Sequence, residues 1–198
     1  MFISVENDFW RFRQKLDDLS KRQIPFAAAG ALNDTAKLIK AEITRALPSI
    51  FDRPTPFTMR AIGIKAARKN NLQATVFVKD RQAAYLHLEE TGGTRAPEPH
   101  RPVDIPVDLQ RDRYGGIGQG TLRRLRGRKD VFFAEIKGVR GFWQRGPMHS
   151  LRLLVAVKPR ATYHPRFGFH PKARTLAQQG FARFLPTRLA EALRTAKP

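Results

Sequence analysis

The sequence predicts an α+β fold: two N-terminal helices, a mainly antiparallel β-sheet with a long irregular insertion, and a C-terminal helix. Three observations point there. Apolar residues recur every three or four positions up to Leu47, and again after residue 172. Between those stretches the period shortens to two in several short runs. Helical and strand patterns come in blocks and do not alternate, and no internal repeat is visible. With 198 residues, 41% of them hydrophobic, the chain 1–198 reads as a single α+β domain with a real core.

Phe9, Phe12, Leu16 and Leu19 form the stripe of an amphipathic helix over about 5–22, with Ser4 as its N-cap. Pro25 suits the first turn of a second helix. Its buried stripe is Phe26, Ala29, Leu32, Ala36, Ile39, Ile43 and Leu47, and Pro48 is expected to stop it. The run Ala27-Ala28-Ala29 with Ala31 would allow a neighbouring helix to come close, although helix propensity alone accounts for it. A proline-rich connector, 48–58, leads to a hairpin. Ile62 and Ile64 lie on one arm, Leu72, Ala74, Val76 and Val78 on the other, with Asn70-Asn71 at the turn. Residues 82–90 pack as a short helix or strand that Gly92-Gly93 ends.

From Thr91 to Gly120, prolines and glycines punctuate a stretch without steady period, and 91–129 reads as an extended arm or insertion. Strand character resumes over 131–137, 141–145 and 151–158, the last with Leu151, Leu153, Val155 and Val157 on one face. An aromatic connector, 160–171, leads to a helix over 172–196. Its stripe is Leu176, Gly180, Phe181, Phe184, Leu185, Leu189 and Leu193, and Pro186 should kink or split it.

Charge narrows the function. There are 37 Lys and Arg against 17 Asp and Glu, a net charge of +20, and Arg outnumbers Lys by 25 to 12. Arg is favoured where a cation meets phosphate or carboxylate in two-pronged fashion or stacks on an aromatic ring. Arg123, Arg124, Arg126, Arg128 and Lys129 fall within seven positions, and Arg140 and Arg145 follow. These seven residues are the candidate surface facing nucleic acid or an acidic partner. With no cysteine, disulfides, thiolate zinc sites and thiol catalysis are excluded. No apolar run approaches the roughly 20 residues that span a bilayer, and MFISVENDFW does not read as a secretory signal.

The search for chemistry gives little. His164-Pro165 and His170-Pro171 lack a nearby carboxylate, and Arg166 and Lys172 would repel a cation, so a structural turn is the better reading. Glu135-Ile136-Lys137 matches the Glu-x-Lys strand pattern of Mg²⁺-dependent nucleases, with Asp104, Asp108, Asp112 or Asp130 as a second ligand. A surface ion pair explains the same three residues. The Gly115–Gly120 stretch does not follow a clear strand and fails as a phosphate loop. Aromatics interleave with basic residues at Phe142-Trp143-Gln144-Arg145 and Tyr163-His164-Pro165-Arg166-Phe167. That pattern can stack single-stranded bases, although core packing is the commoner use. No catalytic residue, metal site or cofactor is assigned, and the chain is expected not to be an enzyme.

Three stretches carry a family resemblance. They are IPFAAAGALNDTAKLIKAEITRAL with Ala31-Leu32-Asn33, the run from Ala84-Tyr85-Leu86 through Glu89-Glu90-Thr91-Gly92-Gly93-Thr94, and Leu185-Pro186-x-x-Leu189-x-x-Ala192-Leu193. In these and in layout the chain resembles the minor tail protein Z of lambda-like phages and the related tail-completion or neck proteins. The resemblance implies a non-enzymatic virion protein, assembled in the host cytoplasm, at the head–tail junction. Its partners would be further copies of itself in a ring, other tail or connector proteins, and genomic DNA contacted without sequence specificity; no membrane is involved. The alternatives are a non-specific nucleic-acid-binding protein and, less favoured, a Mg²⁺-dependent nuclease.

Overall fold

The computed structural model describes residues 19–95 and 102–195, and the fold is α+β. The helix expected over 5–22 lies outside the described residues apart from its end, where Leu19–Gln23 form a π-type turn. The elements that follow are α1 (Ile24–Ile50), a one-turn helix α2 (Pro56–Met59), β1 (Ile62–Lys65), β2 (Thr75–Val78), α3 (Asp80–Thr91), β3 (Gly93–Arg95) and β4 (Val103–Pro106). After them come α4 (Thr121–Arg126), β5 (Val131–Ile136), β6 (Val139–Arg145), β7 (Leu151–Lys158), β8 (Ala161–Tyr163) and α5 (Phe169–Thr195). Every named strand pair is antiparallel. Where the sequence predicts one domain, the chain divides into two compact units. Among the described residues, the first draws on those up to 47, 59–83 and those from 168 on; the second on 48–58 and the rest between 84 and 167.

The first unit is built on α1 and α5. Gly30 lies against Arg188, Gly180 against Thr35 and Leu38, and Ile43 flanks the same groove as Leu176, so the helices run antiparallel. A Cβ on Gly180 would come within 3.0 Å of the Thr35 methyl, so glycine lets the backbones approach. Ala27, Ala29 and Ala31 are all buried on α1. The alanines therefore serve close packing as well as propensity. The buried stripe includes Ala36, Ile39, Ile43 and Leu47 as expected, but it shifts at its start. Phe26 is 64% exposed, and Ala27 and Ala31 take the inner positions. Pro48 does not stop α1, which continues to Ile50; a proline forfeits one donor without forcing the last turn apart. Pro186 likewise leaves α5 unbroken over 27 residues. That helix begins at Phe169, so Pro171 stands in its first turn, where no N–H is needed.

The hairpin β1–β2 belongs to this unit, in the register Ile62↔Val78 and Ile64↔Val76. Asn33 fastens it to α1: its amide donates to the Ala67 carbonyl at 3.1 Å and accepts from the Ala67 N–H at 2.7 Å.

The second unit holds a four-stranded sheet in the order β4-β7-β6-β5 and a separate pair, β3 with β8. Its core joins Leu125, Val131, Phe142, Leu154 and Val155, with Leu109, Ile117, Leu122 and Val157 packed against them. The stretch 91–129, expected as an extended arm, therefore supplies β3, β4, α4 and part of this core. Its glycines misled because they serve a local turn. The Asp112 carboxylate accepts the N–H groups of Tyr114 and Gly116 at 2.9 and 2.8 Å, and the Asp112 N–H returns to the Gly116 carbonyl. The expected face of β7 is split by a bulge. Val155 pairs with Phe142, yet Leu153 pairs with Trp143. Leu151 and Leu153 thus share a face with Trp143, opposite to Val155 and Val157.

Candidate nucleic-acid interface

Helix α4 is short, and its spacing decides what it presents. Leu122 and Leu125, three apart, turn onto the sheet, which leaves Arg123, Arg124 and Arg126 exposed. Arg128 and Lys129 follow in the exposed loop before β5, and Arg140 and Arg145 stand near the two ends of β6. All seven residues singled out in the sequence are exposed and belong to the second unit.

They are not equivalent. The Arg128 guanidinium grips Asp130 with both prongs, at 3.0 and 2.5 Å. Asp130 also accepts a hydrogen bond from Gln144 at 2.8 Å. Together these donors, Arg128 first, hold the Asp130 carboxyl at a pKa of about 2. Arg128 is thus neutralised locally. Arg126, Arg140 and Arg145 lie instead over the rings of Phe142, Phe133 and Phe132, at 5.7, 5.3 and 4.8 Å. A guanidinium over a phenyl ring is held in place with its charge unspent. Cross-strand register sorts these three. Phe133 pairs with Phe142, and Phe132 with Trp143. Arg126 and Arg140 therefore share the α4 face, and Arg145 occupies the other.

The stacking segments of the sequence prove to be packed. Phe142 is buried, and the Trp143 indole N–H is buried without an acceptor among the described residues. Phe167 is buried against Phe51, with ring centroids 5.8 Å apart. Arg166 binds the buried Glu89 carboxylate at 2.6 and 3.0 Å. Phe133, 47% exposed on an edge strand, does remain open. An alternating strand pattern gave it no distinction from Phe132.

The nuclease pattern is not assembled. Lys137, at φ 52°, sits with Gly138 in the β5–β6 turn and not on the strand beside Glu135, whose cross-strand partner is Arg140. Asp108 is paired with Arg152 at 2.6 Å, and Asp112 and Asp130 are engaged as described. Asp104 is three strands away from Glu135, roughly 14 Å by strand spacing. Among the described residues, no three His, Cys, Asp or Glu side chains gather as a metal site. His170 meets the Phe169 ring edge-on in the first turn of α5. No helix among the described residues is long and apolar enough to cross a membrane.

Comparison of the chain with family models, curated proteins and solved structures finds no match.

Proposed function

We propose that the chain is a structural protein of a tailed-phage virion, a tail-completion or neck component at the head–tail junction. In this reading it forms a ring, docks onto neighbouring tail or connector proteins, and turns the basic surface of its second unit toward the genomic DNA. The observation that carries the DNA-facing part is the set of exposed guanidinium groups of Arg126, Arg140 and Arg145, held on phenyl rings and in no salt bridge among the described residues. Within 121–145, Asp130 and Glu135 are the only acids against eight basic residues, and Asp130 is matched to Arg128. Such a surface attracts phosphate diffusely, as a channel lining requires if DNA is to slide past it. The place in the virion and the ring rest on the resemblance of the Ala-rich helix, the Tyr85–Thr94 element and the closing helix to tail-completion proteins.

Replacing Arg123, Arg124, Arg126 and Arg140 by Ser should lower the salt dependence of duplex DNA binding. Each phosphate contact contributes a slope of about 0.9 in log Kd against log salt, so four lost contacts remove about 3 to 4. Arg128→Ser, whose charge is already matched, should change the slope by less than one contact. An unchanged slope in the fourfold variant refutes the DNA-facing surface. Light scattering and negative-stain images of the protein with purified tails or connectors should show a closed ring or terminal cap. A strict monomer that binds only nucleic acid would favour the free nucleic-acid-binding alternative.

A further inference from the structure

Strand β5 forms one edge of the four-stranded sheet, and among the described residues it pairs with β6 alone. Its hairpin register fixes where its backbone points. Ile136 and Val139 close the turn Lys137-Gly138, whose residues are both left-handed at φ 52° and 75°. Such a turn is closed by a residue pair that exchanges both hydrogen bonds. Alternation then turns the N–H and C=O groups of Phe132 and Ala134 toward β6 as well. The Arg145 N–H, donated to the Asp130 carbonyl at 2.9 Å, keeps the same phase. Phe133 and Glu135 therefore direct their N–H and C=O groups away from the sheet, where they meet no partner among the described residues. Val131 shares that phase, but its N–H is taken by the Arg128 carbonyl at 3.3 Å.

The devices that usually protect an edge are few here. β5 has no proline, its register with β6 runs without a bulge, and Glu135 is its one charged residue. On the α4 face Glu135 stands across from Arg140, whose guanidinium lies over the Phe133 ring at 5.3 Å. On the other face Arg145 lies exposed over the Phe132 ring at 4.8 Å, in no salt bridge among the described residues. Lys129 and Lys137 bracket the ends of the strand.

Donors and acceptors on alternate residues are what an extended peptide answers, with one hydrogen-bonded pair every second residue. A DNA backbone offers acceptors only and would leave both carbonyls unanswered. A second copy of β5 fits poorly. The antiparallel register that uses every free group sets Phe133 of each copy against Glu135 of the other, a ring against a carboxylate. It also joins two surfaces that each carry eight basic residues against two acids within 121–145. Charge complementarity selects an acidic strand, apolar where it passes the Phe133 ring, which is 47% exposed.

We propose that β5 is the docking edge for an extended acidic segment of another protein, which adds to the sheet as a fifth strand. Its backbone pairs with Phe133 and Glu135, and its apolar side chains lie on the α4 face beside the Phe133 ring. Its carboxylates alternate with them on the other face, toward Arg145, so that none is set opposite Glu135. The proposal goes beyond the DNA-facing reading and does not depend on it.

The test is fluorescence anisotropy of the full chain with a short labelled peptide that alternates valine and glutamate. A valine–lysine peptide of the same pattern should bind about tenfold more weakly. Methylating the valine amide nitrogens keeps the charge of the acidic peptide but removes its donors toward β5, and should weaken it about tenfold. Glu135→Pro removes an outward N–H and leaves the β5–β6 bonds in place, which an edge strand tolerates. It also removes a negative charge, so charge attraction alone would tighten the acidic peptide; the added strand requires a loss of about tenfold. Failure of the acidic peptide to bind at low salt overturns the proposal. Equal affinity for the methylated and unmethylated peptides overturns it too, on the wild type alone. Equal binding of the lysine peptide overturns the acidic occupant. A wild-type dimer in sedimentation that Glu135→Pro dissociates assigns the edge to a second copy and overturns the proposal as well. Duplex DNA binding by the same samples reports separately on the basic surface, so either reading can fail while the other stands.

Discussion

Replacing Arg166 by methionine should destabilise the second unit more than replacing Glu89 by glutamine, although both remove the same ion pair. The pair is lopsided. The Glu89 side chain is 10% exposed and that of Arg166 is 54% exposed. Two short bonds, at 2.6 and 3.0 Å, join them, and the guanidinium also covers the Phe51 ring at 5.1 Å. Taking away Arg166 strands a buried carboxylate. Breaking a fully buried pair costs about 3–5 kcal/mol, and the half-exposed arginine end reduces that to about 3 kcal/mol, because water can follow into the vacated space. Taking away the Glu89 charge strands a guanidinium that already reaches solvent. Glutamine keeps one acceptor, so the loss is about 1–2 kcal/mol. In both variants the Glu89 carbonyl still accepts the N–H groups of Arg166 and Phe167 at 2.8 Å, so the local backbone is retained. Urea unfolding followed by Trp143 fluorescence in a Trp10→Phe background would report on this unit. The double variant closes a cycle with an expected coupling of about 1–2 kcal/mol. Equal losses, or a larger loss for Glu89→Gln, would refute the argument from unequal burial.

Asn33→Ala should cost the first unit about 2 kcal/mol, because it leaves both backbone groups of the buried Ala67 without a partner; a loss below about 0.5 kcal/mol by thermal denaturation would show that the latch is dispensable. Gly141→Ala should be among the most damaging single changes to the sheet, about 3 kcal/mol. The added Cβ would overlap the Val155 carbonyl oxygen, and a paired backbone cannot move aside. Gly138→Ala, in the open β5–β6 turn at φ 75°, meets no neighbour and should cost only the about 1 kcal/mol of a left-handed alanine. Chemical denaturation of the two variants side by side checks the order, and a milder Gly141 variant would contradict the close approach.

The features that the sequence conveys best are those written in local periodicity. The hairpin is where Ile62, Ile64, Val76 and Val78 place it, and α1 buries Ile39, Ile43 and Leu47 as a 3.6-residue repeat requires. Local rules fail where a partner decides. A proline in a helix reads as a stop, yet Pro48 and Pro186 each cost one donor that the surrounding turns tolerate. Glycines and prolines between 91 and 120 read as an arm because their apolar residues are sparse. Leu109 and Ile117 are few, but they pack on the sheet core, and Asp112 supplies the turn that brings the chain back. The residues that carry the family resemblance have structural duties here: Asn33 holds Ala67, Glu89 holds Arg166, and the Gly92 N–H closes α3 on the Leu88 carbonyl.

The candidate surface shows the same division between what composition conveys and what pairing decides. That Arg123 to Lys129 form a basic cluster is a property of the linear chain, and their exposure follows from a helix too short to bury more than Leu122 and Leu125. Which charges remain available depends on geometry. Arg128 is spent on Asp130 two residues away, whereas Arg126 and Arg140, 14 positions apart in sequence, meet on one face because Phe133 pairs with Phe142. The sequence offered Phe142 and Trp143 as stacking residues on account of their basic neighbours. The sheet buries Phe142 in its core and leaves Phe133, its cross-strand partner, at an open edge. The sequence offers Asp104 as a second ligand beside Glu135, but β4 pairs with β7 while β5 forms the far edge, which leaves the two carboxylates three strands apart. A charge footprint can thus be read from composition alone. Which guanidinium groups stay available depends on the acids and rings set beside them, and strand register is what sets them there.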